Sequence, residues 1–116
     1  MYENSLECPV EVTLQLINNK WKIRIIGSLL NGTKRFNEIK NILETITQKV
    51  LTQNLREMER DGLINRKIYP VVPPKVEYTL TEIGSSLKPI LDEMLKWGLW
   101  YSEENPEIAD LLNLKR

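Results

Sequence analysis

The stretch between Thr47 and Gly62 constrains the fold more than any other part of this 116-residue chain. Thr47 is a residue type that caps helices, because its hydroxyl accepts a backbone N–H left without a partner in the first turn. Gly62 is the residue type that ends helices in the left-handed conformation. Between them, Leu51, Leu55 and Met58 recur at spacings of four and three. The stretch therefore predicts an amphipathic helix whose apolar stripe faces a core.

The opposite side of this helix, which spans about 47–61, is polar and partly basic. The side chains that lie away from or beside the stripe are Gln48, Lys49, Thr52, Gln53, Arg56 and Arg60. Amide, hydroxyl and cationic groups of this kind hydrogen bond to base edges and phosphates. Two interpretations remain open, a DNA recognition helix and an ordinary amphipathic helix with a solvated face.

The segment in front of this helix favours the first interpretation. Apolar residues at helical spacing between 36 and 43 predict a short helix, and only residues 44–46 separate it from the helix that begins at Thr47. Two short helices joined by so tight a turn form a helix-turn-helix.

Two further helices are predicted upstream. Pro9 favours a helix entry, and Val10, Leu14 and Ile17 give that first helix a short apolar stripe. A second helix is predicted over about 20–30. Its predicted core face is Trp21, Ile25, Ile26, Leu29 and Leu30. Residues 1–7 are polar and are expected to be loosely held.

After Gly62 the spacing of apolar residues changes to two, which predicts strands over about 64–69 and 75–80. The proline-rich segment 70–74 is a stiff loop between them. A helix-turn-helix followed by such a hairpin is a winged helix. The cations placed to contact DNA backbone from this wing are Arg66, Lys67 and Lys75. The alternative for these three is ordinary solvation of strand residues.

The C-terminal third predicts a long helix with an uncovered apolar face. Thr81 is expected to cap it, and Pro89 is expected to kink or break it. The apolar residues that keep a helical spacing beyond Pro89 include Leu91, Met94, Leu95 and Leu99. Pairing with a second chain would bury this face, whereas packing against the first helix of the same chain would cover part of it. An acidic tail over 106–114 is expected to add a final turn or two.

Charge and composition restrict the function. The formal net charge is zero, but residues 20–80 hold twelve Lys or Arg against six Asp or Glu, which is the local basic excess that a phosphate-binding surface needs. The chain has no histidine and one cysteine, which removes the His-dependent catalytic triads and any internal disulfide. We therefore expect a cytoplasmic protein, not an enzyme, without cofactor, metal or membrane span.

Several short motifs together resemble the HxlR-type transcriptional regulators, which are related to MarR-type regulators. They are CPVE (8–11), KWK (20–22), RFNEI (35–39), ITQKVLT (46–52), LREMERDGLI (55–64), PPKVEYTLT (73–81) and Gly84. They occur in the family's order from about Cys8 to Trp97. Asn18-Asn19 departs from the Gly-rich pair that is usual before KWK, and Met58 replaces the usual leucine.

The resemblance implies a single winged helix-turn-helix domain over 1–116, mainly α with a small β-hairpin (α+β), that dimerises through its N- and C-terminal helices. It implies a recognition helix of about 47–61 in the major groove and a wing of about 64–80 on flanking DNA. The candidate DNA contacts are Arg35, Thr47, Gln48, Lys49, Thr52, Gln53, Arg56, Arg66, Lys67 and Lys75. The partners expected are double-stranded DNA with a pseudo-palindromic operator and a second copy of the chain; no small-molecule effector can be nominated.

Cys8 occupies the place of the cysteine through which some members of the family sense electrophiles or oxidants. A helix N-terminus and the nearby Lys20 and Lys22 favour the reactive thiolate, whereas Glu7 and Glu11 oppose it. The alternative for Cys8 is a small apolar residue packed under the first helix.

Two functions from different classes fit the sequence. The first is a dimeric, sequence-specific DNA-binding regulator. The second is a winged helix used as a protein-interaction module, without specific DNA binding. The basic middle of the chain favours DNA, because the core of a protein interface is depleted in charge.

Overall fold

The computed structural model describes residues 8–112, so the expectations for residues 1–7 and for the end of the acidic tail lie outside the described residues. The described residues divide between two compact units, one ending at Ser86 and one beginning at Leu87. Their elements in chain order are α1 (Pro9–Leu16), α2 (Lys20–Leu29), β1 (Lys34–Arg35), α3 (Phe36–Leu43), α4 (Gln48–Arg60), β2 (Ile64–Tyr69), β3 (Lys75–Leu80), α5 (Glu82–Ser85), α6 (Lys88–Glu104) and α7 (Pro106–Leu111).

The helices α3 and α4 form the predicted helix-turn-helix. The Thr47 hydroxyl caps α4 by accepting a hydrogen bond from the Val50 N–H at 3.2 Å. In the turn, Glu44 adopts the left-handed conformation (φ 57°) and Ile46 is only 2% exposed. Gly62, with φ 80°, follows the end of α4 as expected. Both predicted boundaries of the organising helix are therefore confirmed.

The core of the first unit lies between the helices and the sheet. Its buried apolar residues include Ile25, Ile26, Leu29, Ile39, Leu43, Leu51, Leu55, Met58, Leu63 and Ile64. The stripe of α4 is confirmed, since none of its three apolar members is more than 2% exposed. Burying a side chain of this size stabilises a fold by about 1.5–3 kcal/mol.

The first two helices depart from the predicted packing. Trp21 and Leu30 are half-buried rather than part of the core, and the Trp21 ring lies 4.8 Å from the Lys20 Nζ. The inward position in the first turn of α2 belongs to Lys22, which is 1% exposed. In α1, Val10 and Leu14 are exposed, which leaves most of the predicted stripe uncovered.

The sheet has three antiparallel strands in the order β1-β3-β2. The predicted hairpin corresponds to β2 and β3, in which Ile64 pairs with Leu80 and Tyr69 with Lys75. Strand β1 was not predicted, because two residues are too few to show a periodicity. It places Arg35 opposite Glu77, on the outer edge of the hairpin.

The predicted C-terminal helix is interrupted before Pro89. The Thr81 hydroxyl accepts a hydrogen bond from the Gly84 N–H at 3.0 Å, so it caps the short α5 and not the long helix. In the second unit Pro89 lies in the first turn of α6, where its missing N–H costs no helical hydrogen bond. The expected break is confirmed. Among the residues described here, no helix combines the length and apolar content needed to cross a membrane.

Candidate nucleic-acid interface

The outer side of α4 presents a continuous polar surface, here called the α4 surface. It is bordered by Gln48, Lys49, Thr52, Gln53, Arg56 and Glu57. Thr52 and Glu57 are half-buried, and the other four are exposed. Because the opposite face of α4 is fully buried, the rotation of this helix is fixed and these side chains cannot turn inward. Every α4 residue among the candidate DNA contacts lies on this surface.

Thr47 lies at the start of α4 and is exposed. Its hydroxyl oxygen accepts the capping hydrogen bond from Val50. The hydroxyl hydrogen remains free to donate to an acceptor such as a phosphate oxygen.

The hairpin carries a second basic surface, here called the wing surface. Because strand residues alternate between faces, the pairing places Lys67, Lys75 and Arg35 on the same face as Tyr69 and Glu77. The ammonium groups of Lys67 and Lys75 lie 4.9 and 4.8 Å from the centroid of the Tyr69 ring. Cation–π contacts of this kind keep both ammonium groups beside the same ring, so two positive charges are presented together on the hairpin.

Glu77 lies in the middle of the wing surface and remains ionised there. A hydrogen bond from Tyr69 lowers the pKa of this carboxyl most, and the positive charges of the nearby Lys75 and Arg35 lower it further. The Lys75 Nζ is 3.3 Å from a Glu77 oxygen. Three cations around one carboxylate leave this face with a net positive charge.

Arg66 is separated from the other wing cations. It pairs with Tyr78, which is 9% exposed, and therefore lies on the opposite face of the sheet. Its Nε donates to a Glu59 oxygen on α4 at 3.2 Å. The side chain is still 43% exposed, so a phosphate oxygen can reach it, but Glu59 partly offsets its charge.

Helix α4 is joined to α2 by two polar contacts. Asn19 caps α2 and donates its Nδ2–H to the Asn54 Oδ1 at 3.0 Å. One helical turn further along both helices, the Lys22 Nζ lies 2.6 Å from the Glu57 Oε1. Neither contact was predicted, although a lysine three and four residues before buried isoleucines is itself a signal.

The sequence profile of the HxlR-like helix-turn-helix family matches residues 16–106, which contain α2 to α6. The chain belongs to the HxlR-like helix-turn-helix family. The resemblance found in the sequence is thereby confirmed. This HxlR-like protein is a transcriptional regulator of the helix-turn-helix type, as its relatives are named, and not an enzyme.

Relatives and solved structures agree with this assignment. The HTH-type transcriptional regulator YkvN of Bacillus subtilis is 54% identical over 97 residues, which are 84% of this chain and 82% of YkvN. The redox regulator HypR in its oxidised form is 52% identical, with a TM-score of 0.74, over 78% of this chain and 94% of that one. A MarR-family regulator from Porphyromonas gingivalis W83 is 40% identical, with a TM-score of 0.76, over 80% and 91% of the two chains. The predicted winged-helix fold and MarR-like class are confirmed.

The HxlR-like regulator exposes much of α6. Of the predicted dimerisation residues, Met94, Leu95 and Leu99 are 45%, 62% and 52% exposed, and Leu91 is half-buried. The Trp97 ring stacks on Tyr101 with 5.2 Å between ring centroids. This helix thus presents a row of large apolar side chains to solvent.

Cys8 is the N-cap residue of α1 and is 7% exposed. The two lysines expected to favour its thiolate are engaged elsewhere, Lys20 over the Trp21 ring and Lys22 with Glu57. Among the described residues, no group of three or more His, Cys, Asp or Glu side chains could hold a metal ion.

Proposed function

We propose that this HxlR-like regulator binds a pseudo-palindromic DNA operator as a homodimer, and that its 116 residues act as one winged-helix domain. In this proposal α4 enters the major groove and the wing surface contacts flanking DNA backbone. The observation that carries it is the α4 surface, where exposed amide and cationic side chains stand on a helix whose other face is buried. In this proposal the protein is cytoplasmic and associates with the nucleoid when it is bound to DNA.

Geometry and charge support DNA over a protein partner. A helix fixed in rotation and exposed along its polar side suits a major groove, which is about 12 Å wide. The wing surface gathers three cations on one face, which suits phosphates rather than the charge-poor core of a protein interface. In a two-fold dimer, two such helices read half-sites about one helical turn, ~10 bp, apart or a multiple of it.

Arg56→Ala tests the role of the α4 surface. We expect the loss of an exposed guanidinium to weaken operator binding by about 1–3 kcal/mol if it bonds a guanine, with relaxed preference at one base pair. If it bonds phosphate, all sequences weaken alike. Titrations with operator and random duplexes, after selection of bound sequences from random DNA, measure the difference.

The matched control for Arg56→Ala is Arg60→Ala, which removes the same charge from the same helix. Arg60 is already paired with Asp61, at 3.1 Å between Nε and Oδ1. We expect a smaller loss for Arg60→Ala. Unchanged affinity of Arg56→Ala on both kinds of duplex would remove Arg56 from the interface.

A second prediction concerns the wing surface. Lys67→Ala combined with Lys75→Ala should weaken binding to all sequences equally and flatten the slope of log affinity against log salt by about one per lost phosphate contact. A control with Lys88→Ala and Lys96→Ala removes two cations from α6, where both lie near carboxylates. If the steep slope survives in the wing variant, the wing does not touch DNA.

A redox response through Cys8 is the second candidate function. It is favoured by the single cysteine of the chain at the first turn of α1 and by the 52% identity to the redox regulator HypR. Since each chain has one thiol, a reversible signal needs a disulfide between subunits or with a small thiol. Diamide accepts the two electrons and two protons that are released when two thiols form such a disulfide.

The expected result for Cys8 is a change in operator affinity after diamide treatment in the wild type but not in Cys8→Ser. The low exposure of the thiol should make its reaction slower than that of a free thiol in solution. Non-reducing electrophoresis identifies a linked dimer. Equal responses in both proteins, or none in either, would leave Cys8 as a packing residue.

A further inference from the structure

Lys22 is buried with its charge, which is uncommon for a lysine. The residue is 1% exposed, and its Nζ lies 2.6 Å from the Glu57 Oε1. A buried ammonium is tolerated only with a close partner, since an unpaired charge in the interior is costly. Lys22 therefore holds the Glu57 carboxylate in one place, on the border of the α4 surface.

The second oxygen of Glu57 faces a side chain of the α4 surface. The Gln53 Nε2 donates to the Glu57 Oε2 at 3.4 Å. The hydrogen bond from Lys22, then the one from Gln53, lowers the pKa of Glu57, so this carboxyl is ionised at neutral pH and can only accept. An amide can usually turn either its nitrogen or its oxygen to a neighbour, but here only the nitrogen can face Glu57.

We propose that Lys22 and Glu57 are positioning residues that fix the amide of Gln53 with its nitrogen inward and its oxygen outward. The proposal rests on the proposed DNA-binding function of α4. With Oε1 outward, Gln53 accepts from a base that carries an exocyclic amine in the major groove, which adenine and cytosine do and guanine and thymine do not. The second N–H of the amide remains available for the N7 acceptor of adenine, so adenine suits it best.

The backbone that carries Gln53 is fixed by the neighbouring contact. Asn19 donates to Asn54, and Asn54 donates to the Val50 carbonyl at 2.8 Å. This contact, one turn from the Lys22–Glu57 pair, prevents α4 from rotating on α2. An isolated Gln-Glu pair on a free helix surface would be worth little, whereas here Lys22 holds the Glu57 carboxylate and Asn54 fixes the backbone next to Gln53.

The experiment first locates the base that Gln53 contacts. Duplexes are selected from random DNA by the wild-type protein and by Gln53→Ala, and the base pair whose preference disappears in the variant is the Gln53 position. The one adenine or cytosine of that pair is then replaced by its analogue without the exocyclic amine, purine or 2-pyrimidinone. We expect the wild-type protein to lose about tenfold in affinity for the substituted duplex.

Glu57→Gln tests the positioning step. The new amide keeps its oxygen towards Lys22 and offers an N–H towards Gln53, so the Gln53 amide turns over and presents Nε2 to the groove. The variant should become insensitive to removal of the amine, within about twofold, and should favour guanine or thymine on that strand. Glu59→Gln removes the same charge from α4 next to Arg66, so its affinity can change but its base preference at the Gln53 position should not.

The outcomes separate this inference from the function on which it rests. Selection of no sequence by the wild-type protein would overturn the proposed function itself. Selection of a sequence with no position that depends on Gln53, or wild-type binding unchanged by removal of the amine, would overturn only the positioning role. So would a folded Glu57→Gln protein with the wild-type base preference. If that variant does not fold, the wild-type analogue measurement still overturns the positioning role when removal of the amine has no effect.

Discussion

The Gly84→Ala protein is expected to unfold at a much lower urea concentration than the wild type. A Cβ at Gly84 would overlap the Leu63 carbonyl oxygen, and a main-chain atom cannot turn aside as a flexible side chain can. Overpacking costs about 1–3 kcal/mol and occasionally more. Because backbone must move here, we expect a loss of about 3 kcal/mol or more in the free energy of unfolding.

The Leu63 carbonyl also accepts a hydrogen bond from Thr81, the residue that caps α5. The Leu63 oxygen accepts the Thr81 N–H at 3.0 Å, and the Thr81 hydroxyl donates to the adjacent Gly62 oxygen at 2.6 Å. A displaced Leu63 would therefore also disturb the residue that caps α5 through Gly84. The effect of the added methyl should spread to the junction between α4 and the sheet.

Gly27→Ala is the matched control for Gly84→Ala. Gly27 lies within α2, and a Cβ there would meet nothing within 4 Å. Alanine should raise stability by about 0.5–1 kcal/mol, because glycine is the poorer helix former. Urea unfolding followed by circular dichroism measures both variants. A Gly84→Ala midpoint equal to that of the wild type would show that the strand and α5 separate easily.

The local elements could be predicted because each is determined by neighbours in sequence. The α4 stripe, the Thr47 cap and the Gly62 stop all act within one or two helical turns, and all three are confirmed. The same holds for the hairpin, whose strands are close in sequence. Cap residues and the spacing of apolar residues act locally, so they can be recognised without reference to the rest of the chain.

The tertiary polar contacts could not be derived in the same way. Asn54 and Asn19 are 35 residues apart, and nothing in the apolar spacing indicates that they meet. Lys22 did carry a signal, since it stands on the face that holds Ile25 and Ile26. A polar residue on an apolar stripe indicates that a partner exists, but the identity of Glu57 follows only from the packing of α2 on α4.

The face on which Lys75 lies could not be derived from the sequence, for a different reason. The side chains of a strand alternate between its two faces, and the buried residues show which face meets the core. Tyr78 and Ile64 face the core, so Arg66 follows them and Lys67 does not. Alternation alone puts Arg66 and Lys67 on opposite faces, but only the pairing of Tyr69 with Lys75 places Lys75 on the face of Lys67.

Leu95→Glu is expected to convert the proposed homodimer into monomers. Leu95 is 62% exposed on α6, beside Met94 and within one turn of Leu99. A two-fold interface contains each residue twice, so the substitution introduces two carboxylates into an apolar contact. An uncompensated buried charge costs about 3–5 kcal/mol, which raises the dimer dissociation constant by roughly 10²- to 10⁴-fold.

Lys96→Ala provides the control for Leu95→Glu. It also lowers the charge of the chain by one, but the Lys96 side chain is 73% exposed and fully polar at its end. Sedimentation velocity at micromolar concentration should show a dimer for the wild type and for Lys96→Ala, and a monomer for Leu95→Glu.

Loss of the dimer should also abolish tight operator binding, although Leu95 lies in a different unit from α4. Two linked recognition helices bind a palindrome with an avidity about 10²- to 10⁴-fold above that of one, because the second contact is intramolecular. Leu95→Glu should therefore bind one half-site weakly and lose the preference for paired half-sites, with Arg56 and its neighbours unchanged. A wild-type protein that sediments as a monomer and binds paired half-sites no better than single ones would contradict the dimer directly.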